Sequence, residues 1–313
     1  MPGRSSRRPS TADPAPTGFG ERLAGRVAER RSQLVLGLDP DPTRLWPQAS
    51  PAAPADDPAA AAADAVASHC AALIEAAGPS CVAVKLQLAC FERLGAPGWT
   101  ALERAAAAAR DAGLLVIADG KRGDVPVTAA AYAQALLSST PTPWGDVPGL
   151  GADAVTANPL LGDDALEPLI AAARDAVAGV FVLVRTSNPG AADVEDLPTV
   201  GEDGSTVPLW ERLARRVDAL GVDAVTGATA PEHLPRMREL MPRATFLVPG
   251  VGAQGGRVDA LGPAFAPGPA AALVTSSRGI ALAHEQHGGE PARAAREAAE
   301  RLRDDVWRLA ASR

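Results

Sequence analysis

Eight short apolar runs recur along the chain, and stretches of helical composition separate them. The runs occupy residues 34–38, 81–86, 114–118, 153–159, 180–185, 223–227, 245–250 and 272–278. Within each, apolarity is largely continuous rather than alternating. That pattern requires burial on both faces, as in a parallel sheet covered by helices. The helical stretches are residues 61–77, 101–112, 125–137, 164–178, 207–220, 232–241 and 290–309. Eight such units in about 290 residues predict an α/β fold of the (β/α)8 TIM-barrel type, in a single domain. An open doubly wound sheet would need fewer strands or a second domain, and no linker divides the chain.

The barrel is expected over residues 17–313, preceded by an Arg/Ser/Pro-rich tail, residues 1–16, that reads as disordered. Phe19, Leu23 and Val27 suit a short amphipathic helix over residues 19–33. Residues 47–60, 138–151 and 186–206 read as loops. A net charge of −7 argues against nucleic acid or an acidic membrane as partner, so an anionic ligand must be held by local cations and backbone amides. Cys70, Cys81 and Cys90 lack metal-ligand spacing and are too few for a disulfide framework, which fits a reducing cytoplasm. No apolar run approaches bilayer length, and no signal-peptide core follows Met1. His69, His233, His284 and His287 lie outside every strand end. This argues against a His-based triad or a His-ligated metal; His284 and His287 read as solvated loop residues.

The third run ends in Asp119-Gly120-Lys121-Arg122-Gly123-Asp124, four charges in six residues. Charges that dense at a strand exit need partners if buried. Asp119 and Lys121 are two apart and share a face if the strand continues. Alone, such a pair reads as a strand cap with a surface ion pair. In a barrel, however, function gathers at the C-terminal strand ends. The residues there are Asp39, Lys85, Asp119, Lys121, Asn158, Ser187, Gln254 and Arg278. Runs one to three thus deliver Asp, Lys and Asp-x-Lys to one rim. The Gly-rich string 249–256 after run seven and Ser277-Arg278-Gly279 after run eight suit an anion such as phosphate. The alternative for both is a pair of tight turns.

These motifs resemble the orotidine 5′-phosphate decarboxylase family, in its longer bacterial subgroup (type 2). The resemblance rests on Asp119 to Asp124 with Thr128, supported by Leu36-Gly37-Leu38-Asp39, Val84-Lys85 and Asn158-Pro159. It extends to Thr186-Ser187-Asn188-Pro189-Gly190, the 249–256 string and Ser277-Arg278-Gly279. It implies decarboxylation of orotidine 5′-phosphate to uridine 5′-phosphate without cofactor or metal. Lys85, Asp119, Lys121 and Asp124 would form a charge network at the reacting carbon. Asp124 and Thr128 would come from the partner subunit of a homodimer. Asp39 would hold the ribose with Thr128. Ser187 would contact the pyrimidine, and Gln254 and Arg278, beside Gly279, the phosphate. The 186–206 loop would close over the substrate.

Three other readings differ in what they need. A sugar-phosphate lyase of the same superfamily would want a divalent metal. A non-catalytic nucleotide sensor would not need the charge cluster. A Schiff-base aldolase would want Lys121 neutral, against its flanking aspartates.

Overall fold

The computed structural model describes residues 18–49, 56–201, 203–252 and 254–312. The tail, residues 1–16, lies outside them. Eight parallel strands close into a barrel: β1 (Leu34–Leu38), β2 (Ala83–Gln87), β3 (Leu115–Arg122), β4 (Ala154–Ala157), β5 (Gly179–Arg185), β6 (Asp223–Thr226), β7 (Phe246–Val248) and β8 (Ala272–Ser276). Each pairs with its neighbour in sequence, and β8 returns to β1 with Leu34 opposite Val274. The continuous apolarity follows from this arrangement. Val35, Ala83, Ile117, Phe181, Leu247 and Leu273 point inward and fill the barrel, while Leu34, Leu36, Val84 and Val116 pack outward under the helices.

The outer ring includes α2 (Pro58–Ala77), α3 (Gly95–Asp111), α4 (Pro126–Leu137), α5 (Asp163–Asp175), α6 (Leu209–Leu220), α7 (Leu234–Leu240) and α8 (Pro291–Ala311), all following α1 (Phe19–Arg30). Asp57 caps α2 by accepting from the amides of Ala59 and Ala60. Helix α1 closes the N-terminal end of the barrel. Phe19, Leu23 and Val27 bury there, each contributing about 2 kcal/mol. The Phe19 ring meets Phe181 edge-on at 5.8 Å. Arg30 donates to the carbonyls of Gly78, Cys81 and Ala112, tying α1 to the loops before β2 and β3.

Several local expectations are corrected. Helices start earlier than their composition suggested, at Pro58 and Gly95, because capping and packing recruit residues that periodicity leaves out. The 138–151 connection folds back as a ribbon, Ser139–Thr140 against Val147–Pro148. The 186–206 segment carries a helical turn, Ala191–Glu195, and a ribbon that pairs Thr199 with Val207. His284 and His287 sit on a short helix, Ala283–His287, not in a loop. His284 is half-buried, its Nδ1 without a partner among the described residues, and His287 is exposed.

Residues Pro58–Ser80 are, by length and composition, apolar enough to cross a membrane, contrary to the expectation that no run comes close. Their alanines raise hydropathy without large side chains. In the fold this segment is α2, packed on α3 and α8 with Val66, Cys70, Leu73 and Ile74 buried.

Candidate active site

The C-terminal mouth of the barrel opens into a cleft of about 500 Å³. Its floor is built by strand parity. On β2, Ala83 and Lys85 face inward; on β3, Ile117 and Asp119 do, so the strands lift Lys85 and Asp119 to the mouth. Both are buried. The Lys85 ammonium donates to Asp119 Oδ2 at 2.5 Å and stands 3.7 Å from Asp39 Oδ1. The Lys121 ammonium reaches the other carboxylate oxygen, Oδ1, at 2.7 Å. Asp119 is thus bracketed by two lysines, with Asp39 beyond Lys85.

Burial alone would push the Asp119 carboxyl up. The two ammonium groups outweigh it and hold the pKa down to about 2. Burial likewise opposes the charge on Lys85, but Asp119 and Asp39 outweigh it and hold this ammonium above the ordinary lysine value. Asp119 and Lys85 therefore stay ionised throughout the neutral range.

Lys121 does not reach Asp119 by simple strand alternation. The β3–β4 register shifts, with Ala118 opposite Val155 but Arg122 opposite Ala157. Residues 119–121 therefore bulge opposite Thr156 alone, and Lys121 takes a left-handed φ of 47°. Its backbone N–H donates to Thr156 Oγ1 at 2.8 Å, and that hydroxyl donates to Asp119 Oδ1, also at 2.8 Å.

The remaining rim comes from the later loops. Ser187 Oγ donates to Gln254 Oε1 at 2.8 Å. Thr186 donates from its amide to Glu195 Oε2 at 2.8 Å, and the Arg185 guanidinium grips Asp196 through Nε and Nη2. These bonds moor the start of the 186–206 segment to its own helical turn. In the Gly-rich loop, Gly250, Gly252 and Gly255 have φ of 98°, 74° and 92°, which glycine alone adopts without strain. Arg278 is exposed at the cleft and makes no ion pair among the described residues.

Of the residues singled out from sequence, Asp39, Lys85, Asp119, Lys121, Ser187, Gln254, Arg278 and Gly279 converge on this cleft. Asp124 and Thr128 lie outside it. Asp124 Oδ1 accepts from the Val125 amide, and Thr128 sits in the first turn of α4. Asn158 is at the rim but lines a smaller side pocket, where its Oδ1 accepts from the Leu160 amide. Sequence reading missed Thr156, Gln87 and Glu195. Gln87 was legible, two residues after Lys85 on the same strand face, and its amide lies 3.4 Å from Asp119 Oδ2. Thr156 had a weaker signal, one polar residue within an apolar strand. Glu195 had none.

The orotidine 5′-phosphate decarboxylase / HUMPS family model matches residues 32–298. The chain belongs to this family. An orotidine 5′-phosphate decarboxylase of Deinococcus radiodurans is 40% identical over 300 residues, covering 92% of this chain and 96% of that one. The solved OMP decarboxylase of Leishmania donovani superimposes with a TM-score of 0.70 at 32% identity, over 94% of this chain and 99% of that one. UMP synthase of the same organism gives 0.71 at 34% identity, over 93% of this chain but 57% of that longer one.

Proposed function

We propose that this family member decarboxylates orotidine 5′-phosphate to uridine 5′-phosphate and CO2, the step that forms UMP in pyrimidine biosynthesis, with Lys121 as the proton donor. The carboxylate of Asp119 held between the Lys85 and Lys121 ammonium groups is the observation that carries this reading.

Cleaving the bond from C6 to the carboxyl carbon leaves its electron pair on C6, in an orbital with little resonance delocalisation. A fixed ammonium beside that carbon stabilises the developing charge without solvent reorganisation. Lys121 Nζ then transfers a proton to C6, CO2 departs, and the neutral amine regains its proton from water. Asp119 keeps the Lys121 ammonium aimed through their ion pair. Asp39 takes the ribose hydroxyls, Ser187 the pyrimidine, and Gln254, Arg278 and Gly279 the phosphate. Phosphate binding, remote from C6, helps close the 186–206 segment and so lowers the barrier.

The working unit in this reading is a homodimer in which Asp124 and Thr128 complete the partner's site. Val125, Val127, Leu160 and Leu161 support it, as exposed apolar side chains on the segments that flank Asp124 and follow β4. The thiols of Cys70 and Cys81 are buried, and burial pushes both up to about 12, which suits stable free cysteines in a reducing cytoplasm.

The test is loss of the orotate absorbance when orotidine 5′-phosphate is added in the presence of a chelator, with Lys121→Ala alongside. Wild type is expected to turn over and the variant to be nearly inactive. Normal turnover by Lys121→Ala would remove the proton-donor role, and dependence on added magnesium would favour a sugar-phosphate lyase.

A further inference from the structure

We propose that Thr156 is a positioning residue for the decarboxylation, setting both the carboxylate of Asp119 and the backbone of Lys121 through one hydroxyl. This rests on the reading of Asp119 and Lys121 given above and goes one step behind it.

A lysine at φ 47° sits in a conformation that a non-glycine residue holds only when its surroundings impose it. Here the bulge of β3 creates the need, because residues 119–121 must fit opposite one residue of β4. Ordinary ladder pairing cannot serve the Lys121 amide at that point. Thr156 Oγ1 accepts from it instead, at 2.8 Å. The same oxygen carries a proton, which it donates to Asp119 Oδ1 at 2.8 Å. That carboxylate oxygen also receives Lys121 Nζ at 2.7 Å. Thr156, the Lys121 backbone, the Lys121 side chain and Asp119 therefore form a closed circuit. The ammonium cannot swing away without breaking a bond that the hydroxyl helps to align.

Thr156 and Asp119 line the floor of the cleft, and both are buried. The methyl of threonine restricts χ1 and keeps the oxygen aimed along the bulge. Thr226 and Thr275 also have buried hydroxyls, but neither has a partner among the described residues, whereas Thr156 uses both its donor and its acceptor. The arrangement acts on the reacting centre and not on the groups assigned to ribose and phosphate. Its loss should therefore appear in turnover more than in binding.

The experiment compares Thr156→Val, which keeps shape and removes the hydroxyl, with Thr156→Ser, which keeps the hydroxyl. Steady-state kinetics with orotidine 5′-phosphate are measured beside wild type and Lys121→Ala, with thermal melts on all four. Thr156→Val is expected to lose about ten- to a hundredfold in kcat, the scale on which small misplacements of a reacting group act, with KM changed less than about threefold. Thr156→Ser should recover most of that loss. Should Thr156→Val fail to fold, Thr156→Ala takes its place with the same expectation. Near-normal kcat in the hydroxyl-free variants while Lys121→Ala is inactive would overturn the positioning role alone. An equal loss in Thr156→Ser and Thr156→Val would also overturn it, since the hydroxyl would then not be the cause. An active Lys121→Ala would overturn the underlying reading, and the role of Thr156 with it.

Discussion

The hydroxyl of Ser187 donates to Oε1 of Gln254 across 2.8 Å, joining the loop after β5 to the loop after β7. The carbonyl of Ser187 also accepts from Thr229 Oγ1 at 3.0 Å, which links the loop after β6 to the same point. The groups assigned to the base and the phosphate are thus aligned by direct contact. Ser187→Ala should leave the Gln254 amide free to rotate. We expect KM for orotidine 5′-phosphate to rise about tenfold, the size of one hydrogen bond. Initial rates over a range of substrate concentrations test this, and an unchanged KM would mean the contact does not order the site for binding.

Acid should act on stability through Asp119. Its carboxyl is held at about 2 against an ordinary 3.8. The unfolded chain therefore binds more protons than the native one between these values. The contribution is complete above about pH 4 and is lost as pH falls through about 2; it amounts to about 2 kcal/mol. Urea unfolding of wild type and Asp119→Asn between about pH 2 and pH 6 measures it. The wild type should lose stability faster toward low pH, and parallel curves would contradict the assignment.

Closure of the barrel between β8 and β1 depends on Gly37. A Cβ there would stand 1.8 Å from Ser277 Oγ and 2.8 Å from Ser277 Cβ. Gly37→Ala is expected to cost about 1–3 kcal/mol and to shift the neighbouring Arg278, raising KM. Ser277→Gly removes both clashing atoms, so the double variant should be more stable than Gly37→Ala alone. Denaturant midpoints for the two singles and the double decide the point.

The shared-site reading makes a numerical prediction. Lys121→Ala and Asp124→Asn homodimers should each be nearly inactive. Mixed after mild dissociation in equal amounts, half the dimers pair one of each, and one of the two sites in each such dimer has both residues intact. About a quarter of wild-type activity should return. No recovery, with mixed dimers shown to form, would place Asp124 in its own subunit's chemistry, and an active Asp124→Asn homodimer would place it outside the chemistry altogether.

Much of this protein was readable without coordinates, and the reason is local. A strand buried on both faces must be apolar at every position, so eight such runs announced a parallel barrel. A barrel gathers its strand ends at one rim, which is why Lys85 and Asp119 could be assigned there, and Gln87, two residues beyond Lys85 on the same strand, was within reach by parity. What only the tertiary structure decided concerns registers and returns. That three residues of β3 face one of β4 is a property of the pair of strands, and from it follow the left-handed Lys121 and the double role of Thr156. Glu195 meets Thr186 because a helical turn inside a long loop folds back, and no periodicity encodes where a loop returns. The apolar face of α1 was evident from Phe19, Leu23 and Val27, but its place as the plug of the barrel was not. Periodicity says that a face must be buried; packing alone chooses what buries it.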